Sequence, residues 1–131
     1  MTQSVQDLPF QDLQVWQEAM DVARRACRVA GGLRRPMAYA VADEIRAAAI
    51  AIPASIIEGH GRESSGAVMR SLQSARGSLE RLEANLALAQ RFGFLDAAVV
   101  DPILKRAQRL GRTLSASMGL ASAPGVDTPA V

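Results

Sequence analysis

The segment Ser64–Gly93 reads SSGAVMRSLQSARGSLERLEANLALAQRFG and contains the most regular apolar pattern in the chain. Its apolar residues recur at alternating spacings of four and three: Val68, Leu72, Ala75, Leu79, Leu82, Leu86 and Ala89. This spacing places them on one stripe of an α-helix, because a helix completes a turn about every 3.6 residues. The segment therefore predicts a helix of roughly 40 Å that begins near Ser64 or Ser65 and buries one face.

Helical patterns also precede and follow this segment. The first runs from near Asp12, a candidate N-cap, to about Ala30, and the glycine pair that follows is expected to end it. Its predicted buried stripe contains Leu13, Trp16, Met20, Ala23, Cys27 and Ala30. The last helix is predicted to begin after Asp96, and its apolar stripe ends at Met118. Each of these helices presents one apolar face, as helices packed on a shared core do.

The remaining helix is predicted from about Ala38 to Gly59 and contains Pro53. A proline inside a helix removes one backbone hydrogen bond and its ring crowds the preceding turn, so a kink is expected there. Four long helices joined by short turns predict an all-α fold, an antiparallel up-down-up-down four-helix bundle with a proline-kinked second helix. The bundle is expected to span residues 10–118, between a flexible segment at 1–9 and a disordered tail at 119–131.

Composition agrees with one helical domain. The chain has 131 residues, of which 49% are hydrophobic and only 4% aromatic, a balance that favours helices over a sheet. Cys27 is the only cysteine, which excludes an internal disulfide. Neither a signal-peptide pattern nor an apolar run of about 20 residues occurs, so a cytoplasmic protein without a membrane span is expected.

The second helix has no polar face in its middle part. From Ala47 to Ile57 every residue except Ser55 is apolar or proline. A four-helix bundle buries only one stripe of each helix, and the simplest cover for a second apolar side is another subunit. The residues expected at this interface or at the kink are Ala47, Ile50, Ala51, Pro53, Ala54 and Ile57. The alternative is that the alanines of this segment are tolerated at a water-exposed surface.

The formal charge of +2 arises almost entirely from arginine, since Lys105 is the only lysine. In an antiparallel bundle, one end collects six arginines from the end of the first helix, the turn after it and the end of the third helix. They are Arg24, Arg25, Arg28, Arg34, Arg35 and Arg91. They form a candidate RNA- or DNA-binding patch, because guanidinium groups match phosphate geometry. The alternative interpretation is a set of cations that complement the dipoles at helix C-termini.

Acidic residues are expected to weaken this patch. Asp43, Glu44 and Asp96 should lie at the same end of the bundle. Asp21 precedes Arg25 by four residues, a spacing that predicts an ion pair along the first helix. No aromatic residues interleave the arginines of the predicted patch, so stacking of nucleic-acid bases is not expected. Binding should then be mostly electrostatic and tolerant of sequence.

Patterns that would indicate catalysis are weak. Gly61–Gly66 has the glycine spacing of a phosphate-binding loop, but Ala67 and Val68 stand where lysine and serine or threonine are required. His60 is the only histidine, and with the single Cys27 it cannot supply a zinc site. The sequence therefore predicts a protein that is not an enzyme and that uses no cofactor or metal.

Three sets of residues are similar to the sequence pattern of one known protein family. They are Phe10, Asp12-Leu13, Val15-Trp16 and Ala19 at the first helix; Arg46-Ala47-Ala48, Ile52-Pro53, Ile56, Glu58-Gly59 and Arg62 around the second; and Gly77-Ser78-Leu79, Glu83 and Leu86 in the third. Nearly the whole chain up to the last helix is similar to the four helix bundle proteins, whose members include those encoded by intervening sequences in bacterial 23S ribosomal RNA genes. The chain departs from the family pattern at Ser55, where asparagine is common, and at Ile57, where alanine is common.

The resemblance implies a bundle that assembles into a ring, a homopentamer, with no established enzymatic activity. Relatives that serve as accessory proteins of diversity-generating retroelements are basic rings that bind nucleic acid, so the resemblance also implies binding of RNA or DNA. A likeness of fold alone does not transfer function. Two functions are therefore considered: a nucleic-acid-binding ring, and an oligomeric scaffold whose partner is another, unidentified protein.

Overall fold

The computed structural model describes residues 13–61 and 64–122. Within them lie four α-helices and one short 3₁₀ turn: α1 (Gln14–Gly31), the turn Pro36–Ala38, α2 (Tyr39–Gly59), α3 (Ser65–Arg91) and α4 (Ala97–Ser122). α1 packs against α2 and α4, and α3 packs against the same two helices, so the four surround one core. Short connections make each helix antiparallel to the next. The predicted all-α four-helix bundle is confirmed, and no strand occurs in the described ranges.

The observed helix ends lie close to those expected from the sequence, with one difference at the C-terminal side. α4 continues to Ser122, so the first four residues of the predicted tail at 119–131 are helical. Leu120 and Ala121 are good helix formers, and a single glycine costs only about 1 kcal/mol relative to alanine. At the other end Leu13 is the N-cap of α1. The predicted cap, Asp12, and the rest of both expected terminal segments lie outside the described residues.

Both ends of α3 are closed as the sequence predicts. Ser64 is the N-cap, and its Oγ accepts a hydrogen bond from the Ala67 backbone N–H at 3.2 Å. After the helix the chain turns through Gly93 at φ +78°, a conformation that a side chain would strain. The Phe94 N–H then donates to the Ala89 carbonyl at 2.9 Å, which satisfies a carbonyl of the last helical turn.

Leucines of α3 and α4 are prominent among the largest fully buried side chains. In the predicted α3 stripe Val68 is half-buried, and the buried members are Leu72, Ala75, Leu79, Leu82, Leu86 and Ala89. α4 contributes Val100, Ile103, Ala107, Leu110 and Leu114, all of them buried. Complete burial of one leucine side chain contributes about 2 kcal/mol. The periodicity of these two helices therefore predicted their buried faces correctly.

The predicted buried stripe of α1 is largely wrong. The buried residues are Val15, Ala19, Val22, Ala23, Ala26 and Ala30. Leu13, Trp16, Met20 and Cys27 are only half-buried. Both sets recur at spacings of about three and four residues, so periodicity alone does not choose between them. The bundle buries the smaller side chains, which pack densely between closely spaced helices, and leaves the larger ones at the edge of the core.

α2 is continuous from Tyr39 to Gly59 and contains Pro53 in its interior. Pro53 is buried, so the backbone position that lacks an N–H donor lies inside the bundle. Ser55 is also buried, and its Oγ lies 3.2 Å from the Oγ of Ser74 on α3. This hydrogen bond joins α2 to α3 close to the proline. Pro53 lies inside α2, at the position where a kink is predicted.

Gly59 allows the end of α2 to lie directly against α3. The residue is buried, and a Cβ atom placed on it would overlap the Ser71 side chain, only 2.7 Å from its Oγ. Packing rather than backbone conformation requires glycine here, because Gly59 is not among the glycines with a positive φ. By contrast, a Cβ atom at Gly77, in the middle of α3, would meet nothing within 4 Å.

Replacement of Gly59 by alanine is expected to destabilise the protein by about 1–3 kcal/mol, because the added methyl group must push α2 and α3 apart. The matched change Gly77→Ala is expected to raise the free energy of unfolding by about 0.5–1 kcal/mol, since alanine is the better helix former. Urea denaturation followed by circular dichroism measures both. Equal effects of the two substitutions would contradict the close contact at Gly59.

Asp21 pairs with two arginines, one on its own helix and one on α4. Its Oδ1 accepts a hydrogen bond from Arg25 Nε on the same helix at 3.0 Å, which confirms the predicted pair. Its Oδ2 accepts a second one from Arg106 Nη1 of α4, also at 3.0 Å. Nearby, the Thr113 hydroxyl donates to Glu18 Oε2 at 2.7 Å. Two acidic residues of α1 thus hold α4 in place.

Asp21→Asn is expected to lower the free energy of unfolding by about 1 kcal/mol at low salt, because partly exposed ion pairs contribute modestly. The loss should shrink as the salt concentration rises, since screening already weakens these pairs in the parent protein. Asp43→Asn is the control, because Asp43 pairs with Arg46 on its own helix and only a few tenths of a kcal/mol are expected. Urea titrations at two salt concentrations check this, and a loss independent of salt would refute the ion-pair explanation.

Candidate functional site

One end of the bundle carries most of the arginines predicted from the sequence, and Arg24 and Arg25 lie about two helical turns before the end of α1. It contains the C-termini of α1 and α3, the N-termini of α2 and α4, and the connections between them. The exposed members are Arg24, Arg28, Arg34, Arg35 and Arg91, and Arg25 is half-buried. We call these six residues the basic pole. The antiparallel order of the helices thus brings arginines from two distant parts of the chain to the same end.

Most arginines of the basic pole form no ion pair with a described residue. One of its arginines is held by Asp21, and the other five form no ion pair in the part of the chain that the structure describes. Asp43 lies at the same end, as expected, and accepts a hydrogen bond from Arg46 at 2.6 Å. Glu44 and Asp96 are exposed at the same end. Five guanidinium groups are therefore available for an anionic ligand.

Two aromatic side chains are exposed beside these arginines. Tyr39 begins α2 with 52% of its surface exposed, and Phe92 follows α3 with 60% exposed. The Tyr39 hydroxyl donates to the Arg34 carbonyl at 3.1 Å. The Phe92 ring centroid lies 5.8 Å from that of Phe94, with the rings inclined by 51°. The expectation that no aromatics interleave the arginines is wrong, and the adjacent pair Arg91-Phe92 was the signal that could have shown it.

The outward side of α2 is apolar and uncovered in the single chain. Ile50 is 58% exposed and Ile57 is 41% exposed. Ala47 is also exposed, and Ala51 and Ala54 are half-buried. We call these five residues the apolar face of α2. Pro53, predicted for the interface or the kink, does not belong to this face, because it lies four residues after the buried Ala49 and shares its inward orientation.

Residues 13–61 and 64–122 contain no arrangement typical of a metal site. Among them, no group of three His, Cys, Asp or Glu side chains is placed to hold a metal ion. Burial raises the pKa of the Cys27 thiol more than the nearby Arg46 lowers it, so the thiol is a weak nucleophile at neutral pH. Burial and the neighbouring Glu80 raise the pKa of Glu83, beside a shallow groove between α3 and α4.

None of the helices in the described part of the chain combines the length and the apolar character that a bilayer crossing requires.

Comparison with known proteins supports the resemblance that was found in the sequence. No curated protein matches the chain. The family described as 23S rRNA-intervening sequence protein matches residues 11–116, which include α1, α2, α3 and most of α4. Of the residues that carry the resemblance, Phe10, Asp12 and Arg62 lie outside the described ranges. Because the match extends over most of the chain, this protein belongs to the family of 23S rRNA-intervening sequence proteins.

Proposed function

We propose that the protein is a ring-forming homo-oligomer of four-helix bundles that binds RNA or DNA through the basic pole. Binding is largely independent of sequence, and the protein does not catalyse a reaction. The observation that carries this proposal is the presence of five exposed arginines that form no ion pair with any described residue. Membership of a family of small helical proteins that is not known as an enzyme family supports it.

Exposed guanidinium groups suit a phosphate backbone. Each carries a permanent charge and planar N–H donors that match phosphate oxygens. Neutralising phosphates releases their bound counterions, which favours binding at low salt and opposes it at high salt. Because phosphates are the same in every sequence, contacts of this kind position a strand without reading its bases. The basic pole accordingly supports binding of nucleic acid with little sequence preference.

A second copy of the chain is the occupant that we propose for the apolar face of α2. This face places two isoleucines and three alanines along one side of a single helix. Its burial by another subunit would remove apolar surface from water, which is the main favourable contribution to association. Ile57 stands where the family commonly has alanine, so this chain presents more apolar surface at that position.

We propose that the contact is head-to-tail, so that a different side of the next subunit covers the apolar face of α2. Head-to-tail contacts close into a ring when the rotation from one subunit to the next closes, whereas a two-fold contact gives only a dimer. The resemblance suggests five subunits.

The nucleic-acid function is tested by reversing three charges of the basic pole: Arg24→Glu, Arg28→Glu and Arg35→Glu. The combined variant should bind at least about tenfold more weakly and show a flatter dependence of log Kd on log salt, because phosphate contacts are lost. A control variant makes the same charge change outside the basic pole: Arg70→Glu, Arg81→Glu and Arg112→Glu. Fluorescence anisotropy with duplex DNA, single-stranded DNA and structured RNA, at low and near-physiological salt, measures both variants.

Light scattering first checks that both triple variants keep the mass of the parent protein. Equal weakening by the two variants would mean that net charge rather than the basic pole is responsible. Absence of binding by the parent protein even at low salt would refute the nucleic-acid function. That result would favour the alternative function, an oligomeric scaffold for another protein.

The subunit interface is tested by placing charges on the apolar face of α2. Ile50→Asp combined with Ile57→Asp should convert the assembled protein to monomers, because a carboxylate at each position must lose its water on association. Leu120→Asp is the control, since Leu120 is 68% exposed on α4, outside this face. Light scattering measures the masses, and circular dichroism confirms the fold. If the double variant retains the parent mass, the apolar face of α2 is not the interface.

A further inference from the structure

Tyr39 and Phe92 bring aromatic surface to an end of the bundle that is otherwise rich in arginine. Both side chains are more than half exposed, although aromatic rings contribute most when they are buried. Each is nevertheless held in position. The Tyr39 hydroxyl bonds to the Arg34 carbonyl at 3.1 Å, and the Phe92 ring packs 5.8 Å from Phe94, which itself packs on the core. Each ring therefore has one contact that orients it at the surface.

Arginines are close to both rings in the sequence. Arg91 directly precedes Phe92, and Arg34 and Arg35 lie in the connection that leads to Tyr39. Cationic and aromatic side chains together are typical of surfaces that bind single-stranded nucleic acid, where cations contact phosphates and rings stack on bases. A duplex does not offer the same contact, because its bases are already stacked and paired with one another. The exposed aromatic side chains therefore favour single strands over duplex, a preference that the arginines alone would not give.

We infer that the basic pole binds unpaired nucleotides: their bases stack on Phe92 and Tyr39, and their phosphates contact the arginines beside the two rings. The ligand is a single strand of RNA or DNA, or the unpaired loop of a folded RNA. α2 and α3 pack against each other, so the start of one and the end of the other are neighbouring positions on the pole. This inference rests on the nucleic-acid binding proposed above and specifies the form of nucleic acid.

Fluorescence anisotropy with three labelled probes tests the inference. The probes are an unstructured U-rich RNA, an oligo-dT strand of the same length and a blunt DNA duplex. Phe92→Ala and Tyr39→Ala are each expected to weaken binding of both single strands about tenfold, and to change duplex binding by less than about twofold. Met37→Ala is the control, because Met37 is 82% exposed at the same end of the bundle but is not aromatic. It should leave all three affinities unchanged.

Phe92→Trp tests stacking directly. If the side chain at this position had only a structural role, its fluorescence would not change on addition of a strand. Tryptophan keeps a stacking surface, so the affinity for single strands should equal or exceed that of the parent protein. Its fluorescence should fall on addition of oligo-dT and not on addition of the duplex, because stacking on a base quenches the indole. The natural Trp16 lies near the start of α1, at the opposite end of the bundle, and gives a constant background.

Circular dichroism and light scattering on each variant separate loss of binding from loss of fold or assembly. Unchanged single-strand affinity in Phe92→Ala and Tyr39→Ala, together with weaker binding by the charge-reversed basic pole, would overturn stacking and leave the nucleic-acid function standing. Absence of binding to every probe by the parent protein would overturn both. If Phe92→Ala forms a smaller oligomer than the parent protein, the Phe92 side chain belongs to a subunit contact, and this result would also overturn the inference.

Discussion

The close contact between α2 and α3 is the constraint on which the rest of the structure depends. Gly59 leaves no room for a side chain against Ser71, and Ser55 bonds to Ser74 one turn away. A helix that contains a proline has a weakened backbone, so packing against α3, rather than the intrinsic stability of α2, keeps α2 in place. The same contact determines how α2 is rotated about its axis, and therefore which of its residues face water.

That rotation leaves α2 with two apolar sides. Ile45 and Ile52 lie in the core, whereas Ile50 and Ile57 face outward between acidic residues. If a head-to-tail contact covers the outward side, several basic poles stand side by side in one ring. A strand that touches one pole then meets the next at high effective concentration, so weak individual contacts combine into strong overall binding. Assembly would then depend on the apolar side of the bundle, and nucleic-acid binding on its charged end.

The phosphate contacts proposed for the basic pole are compatible with a second role of its arginines. Arg28 and Arg91 lie in the last turns of α1 and α3, where the helix dipole favours a positive charge. This stabilisation does not require an acidic partner, so the guanidinium groups remain available to phosphates. The helix-terminal interpretation and the ligand-binding interpretation therefore do not exclude each other. Phe92 directly follows one of these arginines, and the proposed stacking on a base would add a chemically different contact at the same place.

Local patterns predicted the number, order and approximate ends of the helices, because signals such as the Ser64 cap and the Gly93 turn act between residues close together in the chain. The position of the arginines at one end followed from helix order alone. Packing decided which stripe of α1 is buried, so that Trp16 lies at the core edge, and it turned Pro53 inward. It also left Phe92 exposed beside the arginines. Periodicity shows which residues share a side of a helix, but the rotation of that helix in the bundle depends on the neighbours against which it packs.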